Sequence, residues 1–151
     1  MVQREVAKRC RAEFERLQTV KGALRITLNW QTPAIGLPRK LESLLFIMRA
    51  LQRHLEMQLD LEEQGGYLEI VEEVKPNLAE EKDRLRGQHD HFRASLEQMM
   101  PTVEGLSHQD EQRVEDICQE LFGLLAQIDQ HELHEAKLLQ EVFASDEGGE
   151  G

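Results

Sequence analysis

The five residues HELHE, positions 131–135, place two imidazoles and two carboxylates among Ile128, Leu138 and Leu139. A histidine and a glutamate four positions apart, as His131 and Glu135 are, project from one helix face. Imidazole nitrogen and carboxylate oxygen together suit iron, zinc or manganese. Charged helices produce such a pair by chance, so its surroundings decide its weight. Val114, Ile117, Leu121, Leu124, Ile128, His131, Glu135, Leu138 and Val142 follow one another in steps of three and four, which is one helix face. His131 and Glu135 therefore lie on an apolar seam, where an ionised carboxylate is costly without a partner. Glu132 and His134 fall off that seam and are expected at its edge or in solvent.

Two other seams carry polar residues at matching places. One runs Leu41, Leu44, Met48, Leu51, Leu55, Gln58, Glu62; the other runs Leu78, Leu85, His89, Phe92, Leu96, Met99. His89, His131 and Glu135 form a candidate ligand set for one metal ion, with Glu62 as a fourth member. Gln58 offers a weaker amide oxygen. The competing reading is a satisfied polar cluster without an ion, in which Glu135 bonds an imidazole and Glu62 pairs with a protonated histidine. His54 is expected at a seam edge, although it could stand in for a missing histidine. His91, two positions from His89, and His108, at a helix start, are expected at the surface. Lys21 either reaches an acidic interior group or buries its stem and solvates its head. Met48, Met99 and Met100 read as core fillers.

Four long helices must position these residues. The first spans about Val2 to Asn29, with Val6, Cys10, Phe14, Leu17, Leu24 and Leu28 as its apolar positions. QTPAIGLP follows as a loop. The second runs from Arg39 to about Gln64, is interrupted at Gly65-Gly66, and YLEIVEEV continues as a short helical piece to Pro76. The third starts near Asn77, a plausible cap. MPTVEGLS reads as a connection. Ser107 is the expected cap of the fourth helix, with Asp110 three residues on. Long helices joined by shorter connections predict an all-α, antiparallel up-down-up-down four-helix bundle over residues 1–144, followed by a disordered acidic tail, 145–151.

Composition agrees. The chain has 151 residues, enough for one domain with a real core, and a formal net charge of −11. That acidity argues against nucleic acid or an anionic membrane as a partner. No apolar run approaches the roughly 18 residues of a spanning helix, and no apolar leader opens the chain, so a cytoplasmic location is expected. Cys10 and Cys118 lack a CxxC spacing and read as reduced core thiols. No glycine-rich phosphate loop or Ser–His–Asp pattern is present, and no enzymatic role is expected.

LRGQHDHF (85–92), HELHEAKLL (131–139) and LEEQGGYL (61–68) resemble elements of the hemerythrin-like, or HHE cation-binding, family. That family's signature has two similar halves, each with a histidine on one helix and an H...EE element on a later one. His89 and His131 lie 42 positions apart, and Phe14 and Gln58 lie 44 apart, as a duplicated hairpin would place them. The resemblance implies a hemerythrin-like bundle with an inward metal site. Typical members hold two irons with about five histidines and two carboxylates. Here Phe14 and Gln58 stand where the first half has histidines, and Phe14 is expected to fill that half of the interior. The expectation is at most one ion, iron or zinc, held by His89, His131, Glu135 and Glu62. Its role would be sequestration or sensing of metal or of a small diatomic ligand. The alternative is a metal-free, degenerate bundle acting as an interaction or regulatory module, its protein partner unknown.

Overall fold

The computed structural model of the protein describes residues 2–31, 36–64 and 67–148. The fold is all-helical: α1 Val2–Asn29, α2 Leu37–Glu63, the short α3 Tyr67–Val74, a 3-10 turn Pro76–Leu78, α4 Ala79–Glu104 and α5 Glu111–Gly148. No strand occurs among the described residues. α1 packs on α2, α2 on α4, α4 on α5, and α5 back on α1, while α3 packs against α2, α4 and α5. No helix among the described residues is long and apolar enough to cross a membrane.

The seams explain the packing. Leu17, Leu24 and Leu28 of α1 meet Leu44, Met48, Leu51 and Leu55 of α2 in the main core. Phe92, Leu96, Met100 and Val103 of α4 join them, as do Val114, Ile117, Leu121, Leu124 and Ile128 of α5. A second, smaller apolar cluster contains Leu68, Val71, Leu78, Leu85, Leu138 and Val142. On α5 the main core ends at Ile128 and the small cluster begins at Leu138. His131 and Glu135 fall in the gap, so the polar seam residues form a layer between two dry regions.

Cross-helix pairs tie the ring together. Lys40 of α2 donates to the backbone carbonyls of Leu28 (3.3 Å) and Trp30 (2.8 Å), which serves the open C-terminus of α1. Arg93 of α4 reaches Asp60 and Glu63 of α2 at 3.0 and 2.8 Å, and Arg49 meets Glu104 further along the same pair of helices. Lys21 of α1 is wholly buried; its ammonium sits 2.6 Å from Asp129 and 2.7 Å from Glu132 of α5. The second of the two expectations for Lys21, a solvated head, is thereby excluded. Cys10 and Cys118 are buried and form no disulfide.

Several local expectations need correction. Phe14 does not fill the interior: it is 40% exposed, while Glu13 beside it is buried. The true face of α1 steps through Cys10, Glu13, Leu17, Lys21, Leu24 and Leu28, and Phe14 lies one residue, about 100°, off it. Asn77 is not a cap, because it sits inside the 3-10 turn, and Leu78 precedes α4 without any side-chain cap bond. The stretch from Met100 to Glu104 belongs to α4 rather than to a connection. Pro101 lies in its last turns, and Met100 and Val103 on either side are buried against the core. α5 is capped by Asp110, whose carboxylate accepts from the backbone N–H of Arg113 at 3.3 Å; Ser107 instead closes a local turn onto Gln109. α5 runs to Gly148, past the boundary expected at residue 144; residues 149–151 lie outside the described residues, as does the break expected at Gly65-Gly66.

Candidate metal centre

α2 supplies Glu62, α4 supplies His89, and α5 supplies His131 and Glu135; all four are buried. Each offers one ligand atom, and these atoms all lie within 4.8 Å of one another. All four residues singled out in the sequence are therefore brought together. His89 Nε2 stands 3.1 Å from His131 Nε2, 3.3 Å from Glu62 Oε2 and 3.7 Å from Glu135 Oε2; His131 Nε2 is 3.2 Å from Glu135 Oε2. A tetrahedral ion with bonds of about 2.0–2.1 Å separates its ligands by about 3.4 Å. Four of the contacts fall around that value.

The far side of each imidazole ring fixes what its near side can do. His89 Nδ1–H donates to Glu63 Oε1 at 3.1 Å, and His131 Nδ1–H donates to Gln88 Oε1 at 2.6 Å. A neutral imidazole has one proton, so both Nε2 atoms then carry lone pairs. Those lone pairs face each other at 3.1 Å. Two bare nitrogens at that separation need a cation or an added proton between them. Glu62 Oε2 and Glu135 Oε2 are close to the imidazoles yet find no aligned hydrogen-bond donor in the protein. Outer partners that orient histidines by Nδ1 are what metal sites use. Arg93 fixes Glu63 with bonds of 3.1 and 2.8 Å to its two oxygens, and the Phe92 ring meets His131 edge-on at 5.2 Å.

The electrostatics are strained in the metal-free state. Burial pushes the Glu62 carboxyl up to about 8; the Glu135 carboxylate adds to the shift and His89 opposes it. Burial also disfavours a charged His89, but its contacts with Glu135 and Glu62 outweigh this and lift it to about 9. Glu135 is held well below the usual carboxylate range, since His131, His89 and Glu62 together overcome its burial. Without an ion, the layer thus holds protons that an exposed set of the same residues would release.

The other polar residues sort differently. Gln58 is buried and donates from Nε2 to Glu62 Oε1 at 3.0 Å. Half-buried His54 donates from Nδ1 to Glu13 Oε1 at 2.8 Å, and Arg16 holds the other oxygen of Glu13 at 2.8 Å. His91 is exposed against Gln127, and His134 is exposed against Gln130. Glu132 is turned to Lys21 and Gln18. Three contributors escaped the sequence reading: Glu63, Gln88 and Glu13. Glu63 and Gln88 each precede or follow a ligand by one residue, and Glu13 was legible only by stepping four back from Leu17. No family model, curated protein or solved structure matches this chain.

Proposed function

We propose that the protein is a metal-binding helical bundle of hemerythrin-like design that holds one transition-metal ion through Glu62, His89, His131 and Glu135. One observation carries this reading: two imidazoles whose Nδ1–H groups are already committed face each other through Nε2 at 3.1 Å, with two carboxylate oxygens beside them. The hemerythrin-like part rests on the sequence resemblance and on helix direction. Glu13–His54 and Leu28–Lys40 link α1 to α2 in opposite senses, as Asp60–Arg93 and Arg49–Glu104 link α2 to α4. Gln88–His131 with His91–Gln127 does the same for α4 and α5, which supports an up-down-up-down course.

A set of two imidazoles and two carboxylates suits iron or zinc, and a bound ion would act as a Lewis acid and charge centre in a dry layer. Glu63 and Gln88 would hold the imidazoles in the binding tautomer, while the two apolar clusters limit water. We read the role as non-enzymatic and cytoplasmic: sequestration or sensing of metal, or of a small diatomic ligand. The test is metal content per chain of protein purified without an affinity tag, together with the absorption spectrum of an air-exposed sample. One ion per chain is expected. Two irons with the absorption of a bridged pair would overturn the single-ion reading.

A second reading has its own observation. The separation of 3.1 Å also fits one N–H···N hydrogen bond, and His89 is raised to about 9, so a shared proton could occupy the place of the ion. The protein would then be a metal-free interaction or regulatory module. Metal-free protein that refuses iron, zinc and cobalt under equilibrium dialysis would establish it.

A further inference from the structure

The polar layer is not sealed on every side. A cleft of about 250 Å³ between α1 and α5 is lined by Cys10, Phe14, Gln58, Glu135, Ala136 and Leu139, among others. It reaches Gln58 and Glu135 from the side where the resemblance places the missing histidines. Phe14 borders this opening instead of plugging the layer. A water molecule takes about 30 Å³ of liquid volume, so the cleft has room for a ligand of several heavy atoms.

Gln58, one of the residues lining the cleft, carries an acceptor without a donor. Gln58 is buried, and its amide is oriented by the bond from Nε2 to Glu62 Oε1, so Oε1 must point elsewhere. That oxygen finds no hydrogen-bond partner in the protein. A buried amide oxygen left bare costs about as much as a lost hydrogen bond. Glu135 Oε2 is similarly bare, but it is committed to the ion if the metal reading holds. Gln58 Oε1 is then the unclaimed acceptor among the residues that line the cleft, and it can only accept.

We propose that the cleft between α1 and α5 admits a small ligand carrying an N–H or O–H group, and that Gln58 Oε1 accepts its hydrogen bond beside the metal centre. This rests on the metal reading above. The site then discriminates: small ligands with a donor are favoured over ones of similar size without any. Glutamine where a histidine is expected becomes a selectivity residue rather than a lost ligand.

Cobalt(II) is the probe, because its visible spectrum reports the ligand environment. Cobalt-loaded protein is titrated with hydroxylamine, which carries donors, and with azide, which carries none. In Gln58→Leu the affinity for hydroxylamine relative to azide is expected to fall about tenfold, the worth of one buried hydrogen bond. Taking the ratio removes any general effect of the substitution on Glu62. Ala136 is exposed, so Ala136→Trp tests the route without disturbing the core. It is expected to slow binding of both ligands while leaving cobalt content unchanged. An unchanged ratio in Gln58→Leu, or unchanged association rates in Ala136→Trp, overturns this proposal while cobalt binding keeps the metal reading standing. Failure of the wild-type protein to take up cobalt overturns both.

Discussion

The two sides of the polar layer use the same residue types to opposite ends. On the α1 side, buried Glu13 has both oxygens engaged, one by His54 and one by Arg16, and buried Lys21 meets Asp129 and Glu132. Burial opposes ionisation of Glu13, yet His54 and Arg16 keep it below the usual carboxylate range. Those charges are satisfied by the protein itself. On the α4–α5 side, two imidazole Nε2 atoms face each other with only a proton or a cation able to bridge them, and two carboxylate oxygens lack an aligned donor. A fold that needed only structural pairing could have completed both sides alike. The difference teaches that unsatisfied groups, rather than buried charges as such, mark where a ligand belongs.

The sharpest way to break the contrast is to remove a ligand from the unsatisfied side. His131→Ala should release the ion, taking metal content from one per chain toward none. His91→Ala should leave the content unchanged, since His91 faces Gln127 at the surface. Elemental analysis of the two variants decides. Equal loss in both would mean that metal is held nonspecifically by surface histidines.

On the satisfied side, the expected losses are of stability. Asp129 and Glu132 are partly exposed and Lys21 is not. Removing both carboxylates leaves a buried ammonium with only the neutral Gln18 Oε1 at 3.3 Å, at about 3–5 kcal/mol. Lys21→Met keeps the stem's volume and lets the carboxylates rehydrate, so it should cost much less. Urea unfolding of the Asp129→Ala/Glu132→Ala double variant beside Lys21→Met measures the asymmetry. Equal costs would show that the pairing matters more than the burial.

Much of this was readable in the sequence because the seams are strict. Every residue named on the α5 face, from Val114 to Val142, is buried, and so are Gln58, Glu62 and His89 on the other two. A step of three or four fixes direction to within a fraction of a turn, which is why four ligand candidates on three helices could be named together. Phe14 is the exception. Apolar character drew it onto the seam, whereas the burial pattern of α1 follows Cys10, Glu13 and Leu17. A buried glutamate looks wrong in sequence until His54 and Arg16 are seen beside it, and such tertiary partners leave no periodic signal. The same holds for Glu63 and Gln88, whose role depends on ring orientation.

A third test acts on the unsatisfied side through protons. In the metal-free protein the folded-state values of Glu62 and His89 are raised, from 4.5 to about 8 and from 6.5 to about 9. A raised group contributes stability that is complete below its unfolded value and is lost as pH rises through its folded value. Both groups therefore lower stability as pH climbs between about 6.5 and 8. Each holds up to one proton more in the folded than in the unfolded state across that window, so the two together correspond to about 3 kcal/mol. Metal binding should run the other way, because the same protons compete with the ion, so affinity rises with pH. Thermal melts of chelator-treated and metal-loaded protein across this range should diverge as pH increases. Parallel curves would mean that the layer does not change its proton count.

The smallest effect should come from His54, and it is the one that tests whether the two sides are truly separate. His54→Ala removes the donor to Glu13 Oε1, while Arg16 keeps its bond to the other oxygen. His54 is only half-buried, so water can reach part of the space it leaves. The expected cost is about 1 kcal/mol, the low end for exposing a buried acceptor. Metal content should not change, because His54 pairs with Glu13 and makes no contact with the four converging ligand atoms among its described interactions. A substantial loss of metal in His54→Ala would join Glu13 and His54 to the centre. It would turn two contrasting sides into one larger site and bring back a second ion. Unchanged metal with a small loss of stability keeps the contrast: one side pairs its own charges, and the other is built for a guest.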